Sequence, residues 1–469
     1  MSTRASKQVL AELWRAAGQP EAGLEAILLT GVEPALPSSF AVGTAAQATV
    51  AASALAANEM WHLRTGRRQQ VSVDMRHAGI DFRSERYLRI DGNPPHEHRD
   101  KTVGVYRCGD GRWVRLHTNL PHHRAGTLKL LGADYDRASV QRAIDGWEAF
   151  KLEDAAVAAG LVVTATRSFA EWDAHPQGRA VAGLPLFAIE RIGDAPPQPL
   201  PAGHRPLAGV KVLDLTRVIA GPVCGRTLAA HGADVLNITA AHLPAMESLV
   251  IDTGRGKLSA QIDLREAAGR ERLAALLRDA DIFIQGYRPG AIAQYGFGAE
   301  EAARLRPGIV CVSLCAYGHE GPWAGRRGFD SLVQNADGLN VAEAEAAGAL
   351  GTNPEPKPLP AQALDHATGY LMAFGAMTAL KRRAMEGGSW HVRCSLAQTG
   401  HWVRNLGRIE GGLACPDPAL DDVRDLMEDS TSGFGRLTGV RHSAVMSETP
   451  ARWERPSVPL GTNPPEWPR

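Results

Sequence analysis

The chain has no excess of charge of either sign: 51 Lys and Arg face 51 Asp and Glu in 469 residues. A protein that grips nucleic acid or an anionic membrane needs a dedicated basic face, and this balance argues against both partners. A local basic pocket for one polyanionic ligand is still compatible with it. Cysteine is scarce: the six residues are Cys108, Cys224, Cys311, Cys315, Cys394 and Cys415. They form no Cys-x-x-Cys pair and suggest no disulfide framework, so a reduced, cytoplasmic setting is expected. Aromatic residues are only 6% of the chain, and long hydrophobic runs are missing. Met1 to Gly18 is charged throughout and has no apolar core, which excludes a secretory leader within it. There, Val9, Leu10, Leu13 and Trp14 fall at helical spacing and predict an amphipathic helix. Pro34 to Asn58 has no charged residue and is long enough by count to cross a bilayer. Its content is Ala, Ser, Thr, Gly and Gln with two prolines, which predicts a helix packed tightly inside a protein instead.

What the chain does contain is a repeat. Residues 50–79 (VAASALAANEMWHLRTGRRQQVSVDMRHAG) align without a gap with residues 371–400 (LMAFGAMTALKRRAMEGGSWHVRCSLAQTG). Both read as a small-residue helix, a basic last turn, a glycine turn at Gly66 or Gly387, then an alternating strand. Between the copies, YRCGDGRWVRLHT (106–118) predicts strands around a Gly-Asp-Gly turn, followed by helices. A Pro-rich linker, PPQPLPAGHRP (196–206), precedes strands VKVLDL, DVLNI, DIFIQGY and GIVCVSLCA, which alternate with helices. That alternation implies an α/β fold: a doubly wound, mostly parallel sheet with ligands at its carboxyl edge, and a second, smaller α+β domain. Four segments follow, namely a helical extension (1–35), 36–203, 204–412 and a Pro-rich surface-wrapping tail (413–469).

Several motifs look chemical and fail. Gly254-Arg-Gly-Lys257-Leu-Ser259 lacks the first glycine of a phosphate-binding loop, and Leu258 interrupts its end. Gly296-Phe-Gly298 has no third glycine for a dinucleotide fingerprint, and no nucleophile elbow is present. His96, His98, His122 and His123 lack partners at zinc spacing and read as solvated loop residues, so no metal is expected. Cys311 and Cys315 read as small apolar residues on a buried strand.

Residues 206–412 resemble the family III CoA-transferases. The blocks that carry the resemblance are PLAGVKVLDLTRVIAGP (206–222), GADVLNI (232–238), RGKLSAQIDL (255–264), ADIFIQGYRPGAIAQYGFG (280–298) and GHEGPWAGRRGFDSLVQNADGL (318–339). The stretch 36–203 resembles the later half of the same family, through TGRRQQVSVDMRHAG, YRCGDGRWVRL and SFAEWDAHPQGRAVAGLP. The resemblance thus implies one family unit in permuted order with a duplicated helix–strand element. It also implies an interlocked homodimer, acyl-CoA and a carboxylic acid as substrates, and no cofactor beyond coenzyme A itself as a substrate.

The same resemblance places the family's catalytic aspartate at Asp365, whose counterpart in the first repeat is Thr44, so one active site per chain is expected. It implies an aspartyl–acyl mixed anhydride followed by an aspartyl-CoA thioester. CoA-binding residues would be Arg217, Val218, Ile219, Ala220, Lys257, Ile262, Gly286, Tyr287 and Arg288, with Arg327, Asp330 and His366 supporting the site. Position alone allows a plainer role, since an aspartate at the start of a long apolar helix is a favoured N-cap. Two other functions stay open. A racemase on the same fold needs two acid/base groups flanking one carbon, and Phe329 stands where that motif carries histidine, although His366 is a possible substitute. A homologue that binds CoA esters without turnover is the other, motivated by Thr239 and Ala240, where the family often has an acidic then a basic residue.

Overall fold

In the computed structural model, residues 5–95 and 100–468 are described. The alternating apolar segments after the Pro-rich linker pair into a seven-stranded sheet. Its strands are β1 (Phe187–Gly193), β2 (Lys211–Leu215), β3 (Asp234–Thr239), β4 (Lys257–Gln261), β5 (Ile282–Gln285), β6 (Val310–Cys315) and β7 (Ser389–Ser395). The order is β4-β3-β2-β5-β6-β7-β1, all parallel except β1, which runs antiparallel to β7. β2 is followed by β3 on one side while β5 lies on the other. The carboxyl ends of β2 and β5 therefore flank a topological switch point, where open α/β sheets form a crevice.

The two repeat copies are the buried helices α1 (Val42–Thr65) and α5 (Ala363–Glu386), each 24 residues long, which pack along one another. Small side chains permit this approach, and residues 42–60 are buried. Among the described residues no helix is long and apolar enough to cross a membrane. The copies match in backbone detail. Ala41 and Gln362, which precede them, have φ,ψ of −77°,60° and −76°,62°. The strands that follow end on capping residues Asp74 and Ser395, which accept from the backbone N–H of His77 and Gln398.

A smaller antiparallel sheet, 104–107, 113–116 and 163–165, carries helices α2 (Pro121–Leu131), 137–144 and 149–158 around its own core of Tyr106, Leu116, Ile144 and Leu152. This is the α+β unit. It joins the large sheet through α4 (Asp330–Ala336), where Asn335 Nδ2 donates to the Thr164 carbonyl at 2.9 Å.

The ends of the chain hold more strand than the sequence suggests. Helix 6–16 buries Val9, Leu10, Leu13 and Trp14 as its periodicity predicts, but residues 27–30 then pair in parallel with 71–74. The tail is not only a wrap. Residues 427–432 and 435–440 form a hairpin, and 444–446 adds to strand 71–74. Beyond it, the Asn463 N–H donates to the Ser259 carbonyl, so the tail covers the exposed edge of β4.

Buried charge links these parts. Arg226 on α3 (Ala220–Ala230) pairs with Asp252 at 2.7 Å and Asp81 at 3.1 Å, and Asp81 also accepts from the hydroxyls of Tyr370 and Ser443. Glycine sets the closest helix contact. A Cβ on Gly369 of α5 would meet the Ala220 carbonyl oxygen at 2.5 Å and the Val223 side chain at 2.8 Å, whereas one on Gly325 meets nothing within 4 Å. Gly369→Ala is therefore expected to cost about 1–3 kcal/mol by overpacking, and Gly325→Ala to change stability by under about 0.5 kcal/mol. Urea titration of both variants checks this; equal stability would contradict the close approach.

Candidate functional site

The chain leaves β2 through Thr216 and Arg217 and turns at Val218 before α3 begins. Val218 has φ 76°, a left-handed conformation that a β-branched residue rarely adopts. Such strain costs about 1–3 kcal/mol and persists only where the surroundings hold it. The turn brings the Ala220 N–H, at the first position of α3, onto the carboxyl group of Asp365. Asp365 and Gly369 are four residues apart, on one face of α5, and both face this turn.

Asp365 is the third residue of its helix, not the N-cap. The capping bonds come from Asp330 at the start of α4, whose Oδ2 accepts from the N–H groups of Leu364 at 2.8 Å and Asp365 at 2.9 Å. The first repeat copies this device, because Glu33 accepts from the N–H of Thr44. There the counterpart of Asp365 is a threonine, so only the second copy presents a carboxyl group. His366 is buried, stacked on Phe82, and its Nε2 lies 3.2 Å from Glu85 Oε2. Burial is the main cause raising the Asp365 pKa well above the ordinary value, and the charges of Asp330 and Glu85 add to it. Asp330 is raised by burial as well, partly offset by the hydrogen bonds it accepts.

Beside this cluster, at the switch point, lies a cleft of about 310 Å³. Six of the sequence-predicted residues line it: Arg217, Val218, Gly286, Tyr287, Arg288 and Arg327. Arg217 also hydrogen-bonds the carbonyl of Pro244. Among the described residues, the guanidinium groups of Arg288 and Arg327 have no hydrogen-bond or ion-pair partner. Their mutual repulsion, added to burial, lowers the pKa of Arg327. Two unpaired cations at one mouth suit an anionic ligand. Ile262 lines an adjoining slot of about 170 Å³ with Thr239, Ala240 and Tyr295, where Tyr287 forms a shared wall. Ile219 and Ala220 are buried behind the turn.

Two expectations need correction. Lys257 is not available as a phosphate ligand. Its ammonium is 4% exposed and donates to Asp214 Oδ2 at 2.9 Å and the Pro222 carbonyl at 2.8 Å, so it pins α3 to β2. His122 and His123 are not loop residues in solvent. They open α2 and line the cleft, with His123 buried, while His96 and His98 lie outside the described residues. Sequence reasoning also missed Glu85 and His117; both come from the first half of the chain and reach the site only through the fold. Among the described residues no group of three or more His, Cys, Asp or Glu is arranged to hold a metal ion.

A raised carboxyl pKa has a stability consequence with a definite sign. The unfolded chain releases the Asp365 proton near pH 3.8 while the native state keeps it to higher pH, so Asp365 costs increasing stability as pH rises through that window. Asp365→Asn removes the titration and is expected to raise the melting temperature at pH 8, with the gain shrinking towards pH 4. A cap role predicts little change at any pH, because Asn caps a helix as well as Asp; melting curves across pH separate the two.

The sequence profile of CoA-transferase family III matches residues 14–196 and 207–407. An acyl-CoA transferase of Gibberella moniliformis is 30% identical over 384 residues, which is 72% of this chain and 66% of that protein. The acetyl-coenzyme A transferase nodX of Hypoxylon pulicicidum is 28% identical over 431 residues, 81% of this chain and 72% of that one. A solved CAIB/BAIF family protein from Brucella suis is 25% identical over 50% of this chain and 65% of its own, at a TM-score of 0.38. The chain thus spans just under two thirds of the length of the Gibberella protein. With both halves matched by one profile, the chain belongs to CoA-transferase family III.

Proposed function

We propose that the chain moves CoA between an acyl-CoA and a carboxylic acid, with Asp365 as the covalent carrier. The observation that carries this reading is a buried carboxyl group, without an ion pair among the described residues, held on the N–H of Ala220 two residues from Val218, which lines a cleft with Arg288 and Arg327. The Asp365 carboxylate attacks the thioester carbonyl and expels CoA thiolate, forming a mixed anhydride. The thiolate attacks the Asp365 carbonyl of the anhydride, which releases the first acid as carboxylate and leaves an aspartyl-CoA thioester. An acceptor carboxylate attacks that thioester and frees the thiolate again. The thiolate then takes the new acyl group and restores Asp365.

Each step exchanges acyl groups of similar activation, so the cycle needs no metal and no energy source. The protein's task is orientation, which supplies about 7–11 kcal/mol in well-aligned systems. The Ala220 N–H meets the Asp365 carboxyl group, so it is placed to stabilise the charge that builds on the Asp365 oxygen when thiolate or acceptor carboxylate attacks the aspartyl carbonyl. Arg217, Arg288 and Arg327 are the residues we assign to the phosphates of CoA, and the slot bounded by Ile262 and Tyr287 to its adenine. Phe329 carries no titratable group, which favours transfer over racemisation. The permuted order of the family halves, a homodimer and a cytoplasmic setting complete the proposal, and native mass spectrometry tests the dimer.

Asp365→Ala is expected to abolish transfer and leave CoA affinity within a few-fold, because the nucleotide is held at the other end of the ligand. Retained turnover would refute the mechanism. Only the carboxylate attacks, and its pKa is raised, so kcat/KM is expected to climb with pH along an acid limb lying above the ordinary aspartate range. Glu85→Gln removes one neighbouring negative charge and should move that limb to lower pH. A limb that stays in place would show that Glu85 does not act on Asp365.

A further inference from the structure

The cleft also holds a polar side chain that no group of the protein satisfies among the described residues. His123, at the start of α2, is 2% exposed, yet neither its Nδ1 nor its Nε2 has a hydrogen-bond partner among the described residues. Its ring lies 4.1 Å from that of His122 and meets the edge of Phe329 at 6.2 Å, and the other face of this apolar wall is His117, stacked on Phe329 at 3.9 Å. Phe329 adjoins Asp330, which holds the Asp365 backbone. Phe329 and Asp330 thus connect the histidines to Asp365, and the charges of Arg217 and Arg327 reach them as well. Burial, with the neighbouring cations, pushes His123 down to about 3, so the ring is neutral and offers one N–H donor and one bare nitrogen. Buried polar atoms are rarely left unpaired, and one that lines a cleft is satisfied by what binds there.

We propose that His123 is a specificity-determining residue: it makes this part of the cleft an acyl subsite for groups that carry a hydroxyl or oxo oxygen, in preference to plain alkyl chains. The inference rests on the CoA-ester reading of the cleft. An oxygen of this kind pairs with the imidazole, whereas an alkyl group of the same length leaves both ring nitrogens desolvated and unpaired, a difference of about 10- to 100-fold in affinity. Phe329, backed by the ring of His117, supplies the apolar floor under the rest of the chain.

The test measures binding without turnover. Calorimetry on Asp365→Ala protein compares 3-hydroxybutyryl-CoA, butyryl-CoA and CoA. The hydroxyacyl ester is expected to bind about 10- to 100-fold tighter than butyryl-CoA. Adding His123→Phe should bring the ratio to about one, while His123→Gln, which keeps a donor and an acceptor, should retain most of it. CoA affinity reports that each variant is folded. Equal affinities with His123 intact, or a ratio unchanged by His123→Phe, would overturn the proposal. If His123→Phe loses CoA binding, the ratio in the parent and in His123→Gln still decides. Because no chemistry is needed, a failure of Asp365 catalysis and a failure of this subsite give different results.

Discussion

The carboxylate of Asp330 accepts two backbone N–H groups at the start of α5, and the geometry of the site hangs on that contact. A helix presents unpaired N–H groups at its first turn, and another element must satisfy them when the turn is buried. Here the partner comes from α4 instead of from a side chain at the helix start. Asp365 is thereby relieved of capping and left with its carboxyl group directed at the Ala220 N–H. The arrangement is costly, because it places several carboxyl groups in a dry environment, and the raised pKa values are the sign of that cost. Active sites commonly hold stability back in this way.

Packing then fixes the distance. Gly369 lets α3 approach α5 closely enough for the strained turn at Val218 to sit against Asp365. Lys257 anchors the same helix from the sheet side through Asp214, and Arg226 anchors it from the other through Asp81 and Asp252. The Arg226 cluster includes Asp81 from the first half of the chain and is joined by Ser443 from the tail. A lone charge left by breaking one of these buried pairs is far more damaging than the pair is stabilising. The first half, the second half and the tail are thus tied together at the back of the site.

Much of this was legible in the residues. The alternation of apolar strands and helices after residue 206 predicts the parallel sheet, and the loop after its first strand lines the cleft as a switch point requires. The matched repeats appear as two helices of equal length with the same entry geometry. What was not legible depends on contacts between distant segments. Lys257 reads as a free cation because its partner Asp214 is 43 residues away. His122 and His123 read as loop residues because the apolar pattern shows this helix only from about residue 124, whereas Pro121 starts it one turn earlier. Short strands such as 27–30 and 444–446 are too brief to show a period of two, and they form only because strand 71–74 offers edges on both sides.

The central claim is that Asp365 becomes acylated. The most direct measurement is to mix the protein with an acyl-CoA, trap with hydroxylamine, digest, and map the modification by peptide mass. The account predicts a hydroxamate on Asp365 that requires acyl-CoA and is retained, in lower yield, in Asp330→Asn. A hydroxamate at another residue, or none while transfer proceeds, would contradict it.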